Sequence, residues 1–574
     1  MNDRPSFIPV GELAHSLDSG LGGVIQRVKP IVDEATLERT IAVSKAFAQT
    51  SGKVLQKRLE EYAAAEQQNG NSWMTRLWQQ TYLSYRGALS TGLNYLTTLD
   101  TSGLAPYASR ADLCGALVSG LTQAYLDIAR GTLESESNKS GPLCMEQYAN
   151  IFASCRIPSD GSDEVYNGLR EGVDFENAHI IVMLEGNIYV LDVVKDGVTY
   201  SSQEISKAIS ALMERKAPAQ PNVGAMTFVD RDSAYSIYKH IRNIDGNQAN
   251  FKDIHTAVFA LCIDEYTEST SFNKLYSYNN RWFDKCIQVI VDQSDEVGFN
   301  NEHTSFDAAV WVSTLLKLYA RLEAAPEEAG SGTPPSFRML EWTLDDAALS
   351  MISKAQAPQS HGLALKVAHF TDFGSTLMKT VKASPDAFFH IALQLACYRH
   401  QGKLSSTYEA VAMRQFHQGR TEAMRPSTSA TLNFAKAMSD ISVGRDERIV
   451  LARTAFALHV DMIGECQRGE APERHLFGLE AMITDPIPPD EDIFSDPGYN
   501  AMRSNVISSS GLGAACMGLF CFAPVNSQGL GVGYIIGSDS IKLGISAFAP
   551  RSPELESFAE NLHQSLRDLR DLLQ

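Results

Sequence analysis

No run of this chain reaches the ~18 consecutive apolar residues needed to cross a bilayer. The opening MNDRPSFIPV has no basic segment leading into an apolar core, and the closing RDLRDLLQ carries neither a peroxisomal tripeptide nor a prenylation box. These absences make a cytoplasmic protein with no membrane partner the expectation. Positive charge is in deficit: 49 Lys and Arg stand against 68 Asp and Glu, a net charge of −19 at pH 7. Backbone-wide nucleic-acid binding needs clustered cations, so no nucleic-acid partner is expected, although a local patch for an anionic ligand is not excluded. Cysteine is sparse and unpaired. Cys114, Cys144, Cys155, Cys262, Cys286, Cys397, Cys466, Cys516 and Cys521 include no C-x-x-C, which reads as reduced, mostly buried thiols. Zinc spacing, a P-loop and a G-x-S-x-G elbow are all missing, so no metal is expected. No tandem repeat is visible either.

What is present is an ordinary globular composition over 574 residues, 44% hydrophobic and 20% charged. The apolar content is enough to offset chain entropy. Residues 1–70 read as mostly helical after an extended arm holding Pro5 and Pro9, with a break at Asn69-Gly70-Asn71. Trp73 and Trp78 open a second helical stretch ending near Tyr85, and 111–135 reads as another helix. Two β-rich runs flank Glu185-Gly186-Asn187 and predict a hairpin over 179–195. VGAMTF (223–228) and CIQVIV (286–291) predict strands, and 325–335 reads as a linker. A helix (WTLDDAALSMISKAQ) and a strand (ALKVAHF) follow. Ser384 as cap, Pro385 in the first turn and Gly402 past the end predict a helix over 385–399. Strands and glycine turns fill 505–548, and an amphipathic helix runs from about 552. The order is mixed α/β in two halves.

His303 has the most suggestive setting of the thirteen His. It sits in the polar turn Phe299–Asp307 beyond an apolar strand, where Asp307 or Glu302 could fix its tautomer. The residues alone also allow a loop His bonded to a neighbouring carboxylate. Arg414, Arg420 and Arg425, with Thr421, form either an anion-reading cluster or a salt-bridge face. Ser508-Ser509-Ser510 offers hydroxyl donors to an oxyanion, or is simply a polar turn. The glycines of Gly529-Leu530-Gly531-Val532-Gly533 are expected between strands with no helix following, so a dinucleotide reading fails. Lys379 and Lys382 stand near the start of the 385–399 helix, where a phosphate could be met.

Taken in order, these segments resemble the choline/carnitine acyltransferase family, most densely from about 370 onward. The most specific stretch runs from Ser384-Pro385-Asp386-Ala387-Phe388 and IALQLACYR through Thr407-Tyr408-Glu409-Ala410 to Arg414-x-Phe416-x-x-Gly419-Arg420-Thr421-Glu422. It is joined by Asn280-Arg281-Trp282-Phe283-Asp284-Lys285, Glu302-His303, Arg474-His475-Leu476-x-Gly478-Leu479, Ser508-Ser509-Ser510 and Phe522-x-Pro524. The resemblance implies an α/β fold of two lobes, each like a chloramphenicol acetyltransferase subunit, with the active-site tunnel between them. It joins 1–70 with 343–574, which would carry the coenzyme A and carnitine-type sites, and leaves 71–342 as the lobe carrying the catalytic His.

The implied reaction moves an acyl group between the thiol of coenzyme A and the hydroxyl of a small quaternary-ammonium alcohol. No permanently bound cofactor is implied, and a monomer is the expectation. His303 matches the catalytic His, and Ser510 the last position of the family's Ser-Thr-Ser motif. Tyr408, Thr421 and Arg474 match the trio that holds the carnitine carboxylate, with Ser508 nearby and Phe522 facing the trimethylammonium. A buried Arg needs an anion, so the trio favours carnitine or another carboxylate-bearing alcohol over choline. Phe520 matches the acyl-pocket gatekeeper, and its bulk predicts a short acyl group. Lys379, Lys382, Ser384 and Asp386 fall on the coenzyme A side.

The chain also departs from the family. A usual Gly-Lys pair reads Gly374-Ser375, which weakens recognition of the 3′-phosphate. The aromatic-Ser-Ser-Pro segment near the carnitine pocket reads Ser90-Thr91-Gly92-Leu93-Asn94. These departures admit a different hydroxyl acceptor, or an acyl carrier protein as donor partner. A non-catalytic acyl-thioester binder is the remaining reading.

Overall fold

The computed structural model describes residues 6–10, 20–215, 217–265, 270–277, 279–324, 332–356 and 362–574. Pro5 and most of the expected linker, 325–331, lie outside the described residues. The helices that matter here are α1 (Glu34–Gln49), α2 (Ser51–Gln68), α3 (Trp73–Leu83), α4 (Arg110–Ala129), α5 (Ala308–Glu323), α6 (Pro385–Gln401), α7 (Arg445–Gln467), α8 (Pro472–Ala481) and α9 (Leu555–Leu573). In α6, Pro385 stands at the first turn, where its missing N–H costs nothing. Gly402 ends the helix in the left-handed region at φ 71°. Ser384 holds the N-cap position, yet its side chain makes no capping bond. Residues 387–397 of α6 are buried without interruption, as expected for a helix enclosed on all sides. The helix expected over 111–135 stops at Ala129.

Two sheets organise the strands. The first takes β1 (Tyr95–Leu99), β2 (His179–Leu184), β3 (Asn187–Asp192), β4 (Ala260–Ile263), β5 (Ile287–Val291), β6 (Val297–Asn301) and β7 (Phe337–Met339). The hairpin β2–β3 turns at Glu185 and Gly186, both at positive φ, as the sequence predicts. VGAMTF is not a strand but a single 3-10 turn, Val223–Thr227. Its five residues are all buried, so packing overrides the β propensity.

The second sheet holds β8 (Ala364–Phe370), β9 (Thr407–Ala412), β10 (Thr421–Met424) and β11 (Ile507–Gly511), completed by β13 (Leu530–Ile536) and β14 (Ile541–Ala547) in the order β8-β14-β13-β11-β9-β10. The glycine run 529–533 lies largely inside β13 rather than between strands.

The intervening strand β12 (Met517–Phe522) does not join this sheet. It pairs antiparallel with β1, giving the first sheet the order β7-β3-β2-β4-β5-β6-β1-β12. On its way β12 crosses closely over β13 and β14. A Cβ on Gly533 would be driven into the carbonyl oxygen of Phe520, so only glycine admits the crossing. The first sheet packs its core against α4 and α5, and the second against α6, α7 and α9. Val43, Phe47, Leu55 and Leu59 of α1 and α2 pack on Leu476 and Leu479 of α8 and on Ile493 and Tyr499. The result is two α/β lobes laced together by one strand.

Candidate active site

A cavity of about 430 Å³ lies between the two sheets. His303, Tyr408, Thr421, Arg474, Ser508, Ser510, Phe520 and Phe522 all line it, although they come from positions spread over 220 residues of sequence. The His303 turn follows β6 directly, because the Phe299-Asn300-Asn301 part of the expected polar turn is strand.

The turn is held from every side. Arg420 donates to Asp307 (2.9 Å), the Thr304 carbonyl (2.8 Å) and the His303 carbonyl (3.1 Å). Arg156 donates to the Thr304 hydroxyl at 2.9 Å, and Gln147 bonds both the carboxylate and the amide of Asp307. The tautomer is set by neither carboxylate foreseen. His303 Nδ1 lies 3.0 Å from the Phe306 carbonyl oxygen, which can only accept, so Nδ1 carries the proton and Nε2 keeps its lone pair. Asp307 Oδ1 stands farther off at 4.0 Å, and Glu302 bonds Thr304 instead. Burial holds the His303 pKa below its ordinary value, with the nearby Arg420 adding to the effect and Asp307 opposing it. A neutral imidazole with one bare nitrogen can take a proton from a hydroxyl.

Also lining the cavity, Arg474 donates from Nε to the Thr421 carbonyl at 2.7 Å. Its guanidinium stacks on the Trp78 ring, 4.0 Å from the centroid. Its Nη2 is buried and has no partner among the described residues. Tyr408 and Thr421 line the cavity beside it. The other arginines are spent. Arg425 pairs with Glu473, Arg414 with Glu136 and Arg420 with Asp307, so the 414–425 cluster is a salt-bridge network and not an anion reader. A lone guanidinium edge beside two hydroxyls suits a carboxylate.

Ser508, Ser509 and Ser510 lie on β11, not in a turn. Ser509 Oγ donates to the Tyr408 carbonyl at 2.8 Å and so fastens β11 to β9, while Ser508 Oγ accepts from the Val525 amide at 3.3 Å. Phe520 and Phe522 lie 5.5 Å apart on β12, and Tyr95 brings its edge to Phe520 at 6.0 Å.

Residues 8–564 match the family described as choline/carnitine O-acyltransferase. The chain belongs to this family. It is 30% identical to carnitine O-acetyltransferase of Homo sapiens over 99% of this chain and 93% of that protein. It is also 30% identical to carnitine O-palmitoyltransferase 2, mitochondrial, of Xenopus tropicalis over 75% of this chain and 67% of that protein. With choline O-acetyltransferase of Drosophila melanogaster the identity is 26% over 97% and 87%. The protein is therefore an O-acyltransferase. No helix among the described residues is long and apolar enough to cross a membrane.

Four candidate residues of this acyltransferase lie outside the cavity. Lys379, Lys382 and Ser384 are exposed near the start of α6. Asp386 turns inward, where it accepts from Tyr534 at 2.7 Å and bonds His459 at 2.9 Å. Tyr534 also reaches Glu409 at 3.0 Å, on the face of β9 away from the cavity. Asp386, Glu409 and His459 are close enough to surround a cation, but Asp386 already binds both Tyr534 and His459.

Sequence reasoning missed the aromatic wall. Trp78, Tyr82, Tyr85, Tyr95 and Tyr499 all line the cavity, although the 90–95 segment carries no aromatic before Tyr95. A Cβ at Gly92 would be driven into the Tyr85 hydroxyl, so that glycine is what lets the ring in. The helical spacing of Trp78 and Tyr82 was the available signal, whereas Tyr85 lies past the end of α3.

Proposed function

We propose that the protein moves a short acyl group reversibly between the thiol of coenzyme A and the hydroxyl of carnitine or a similar carboxylate-bearing alcohol. His303 Nε2 takes the alcohol proton as the oxygen attacks the thioester carbonyl. The carbonyl oxygen becomes an oxyanion beside the Ser510 hydroxyl, a donor of a kind worth about 2.7–4 kcal/mol. Collapse expels the thiolate, which recovers the proton from His303. Arg474, Tyr408 and Thr421 hold the carboxylate, and the Phe522 face receives the ammonium. Phe520 closes the acyl end, which favours acetyl or propionyl.

The observation that carries this reading is the unpaired, buried Arg474 Nη2 in the same cavity as a His303 whose Nε2 is bare. Thiol release from acetyl-coenzyme A, measured with carnitine, choline and a panel of hydroxy acids, tests it. Turnover with carnitine or a hydroxy acid and none with choline is expected. Preference for choline would overturn the carboxylate assignment.

A second reading delivers the acyl group on a carrier protein's phosphopantetheine. It is favoured by Ser375 standing where the family resemblance implies a Lys. Equal rates with acetyl-coenzyme A and its 3′-dephospho form would support it, and a strong preference for the phosphorylated form would dismiss it.

A further inference from the structure

Tyr95 carries an unspent hydrogen-bond donor at the acyl end of the cavity. The residue is 2% exposed and lines the cavity, and its hydroxyl is buried with no protein partner among the described residues. Its ring stands edge-on to the His303 imidazole at 5.2 Å and to Phe520 at 6.0 Å. In the β1–β12 ladder it lies directly opposite Phe522. Phenylalanine would fill this place as well, without an unpaired polar group. Two residues along the same face of β1, the Thr97 hydroxyl does have a partner, the Trp311 indole N–H at 2.9 Å. The sheet therefore gives one buried hydroxyl a partner and leaves the other, which lies next to the reacting centre, with none among the described residues.

We propose that Tyr95 reads an oxygen on the acyl group, and that the preferred acyl group carries a hydrogen-bond acceptor at its third carbon, as in 3-oxoacyl or 3-hydroxyacyl thioesters. This rests on the acyl-transfer reading above and assigns the other end of the same site. The acceptor's carboxylate is served by Arg474, and the oxyanion by Ser510. What passes His303 toward Phe520 is the acyl chain. A plain alkyl chain leaves the phenol unpaired in the complex, whereas a 3-oxygen satisfies it, so the site discriminates against the alkyl analogue.

The test compares butyryl-, 3-hydroxybutyryl- and acetoacetyl-coenzyme A, with carnitine as acceptor, in the natural enzyme and in Tyr95→Phe. The expected result is a kcat/KM at least about tenfold higher for acetoacetyl or 3-hydroxybutyryl than for butyryl. In Tyr95→Phe that ratio collapses toward one, because the oxygenated thioesters lose more. A ratio near one in the natural enzyme overturns the proposal. So does a loss shared equally by all three thioesters, which would place the hydroxyl on the common carbonyl. A pH profile displaced alike for all three also overturns it, because the phenol would then serve the unpaired Asp307 Oδ1. A second measurement does not depend on the acceptor. Dissociation constants of the same thioesters for His303→Ala, with and without Tyr95→Phe, should show the same preference and the same collapse. Absence of turnover with every acceptor would refute the proposed function, while these binding constants would still decide the role of Tyr95.

Discussion

Burial lowers the His303 pKa, and with His303 as the proposed base that sets the acid limb of the rate. The pH profile of kcat/KM should be flat through neutrality and fall on the acid side with an apparent pKa below the ordinary 6.5. Asp307→Asn removes a charge that pulls this pKa upward, so the limb should move to still lower pH. The same change strips Arg420 of its carboxylate, and a broken buried pair costs about 3–5 kcal/mol, visible as a lower melting temperature. Arg474→Ala should raise the KM for carnitine about a hundredfold with much less effect on the thioester, and an unchanged carnitine KM would place the carboxylate elsewhere.

Glu422 lies against Arg474, accepting its backbone N–H at 3.4 Å, and burial pushes its pKa up to about 7, partly against the pull of Arg474. Above that pH the carboxylate ionises and offsets the guanidinium. The KM for a carboxylate acceptor should therefore rise a few-fold between pH 6 and 8, and Glu422→Gln should flatten the rise. Much of this site was legible as residues. The polar turn with His303 stands out from its surroundings, whereas Arg474 is marked only by the family resemblance, and the arginines that did stand out, Arg414, Arg420 and Arg425, are salt-bridged. The Phe306 carbonyl that fixes the tautomer does not stand out, because backbone acceptors leave no mark in sequence. Tyr95 and Tyr82 also escaped, since an aromatic at strand or helix spacing looks the same whether it lines a core or a cavity.

At the scale of elements, local punctuation decided what could be foreseen. Pro385 and Gly402 bracket α6, and Glu185-Gly186 turns the β2–β3 hairpin, because each of those residues restricts its own backbone. VGAMTF has strand composition but packs as a turn, a choice made by neighbours distant in sequence. The strand order was not legible either. Nothing in Met517–Phe522 says that it pairs with Tyr95–Leu99 and not with the strands beside it in the chain. The crossing is nevertheless tight enough to test. Gly533→Ala forces the Phe520 carbonyl aside and should cost about 1–3 kcal/mol of stability by chemical denaturation. On the proposed reading Phe520 closes the acyl end, so acyl preference should shift in the same variant.

For the whole molecule, β12 makes each half depend on the other. A fragment ending at residue 356 would leave β1 as an open edge beside a large apolar core. It should aggregate on size-exclusion chromatography, and co-expression with residues 362–574 should restore soluble material. A soluble, cooperatively folding single fragment would contradict this. The intact chain should melt in one transition, since neither core is complete alone.

The same strand works as a rivet through the wall of the reaction chamber. Lobes stitched in this way cannot swing open and shut like jaws, because each cycle would unzip the ladder between Tyr95 and Leu99. On the proposed reading, the width available to an acyl chain is then set by the rings on either side of the stitch, and re-tailoring this protein for a different cargo means recarving those rings rather than loosening a joint.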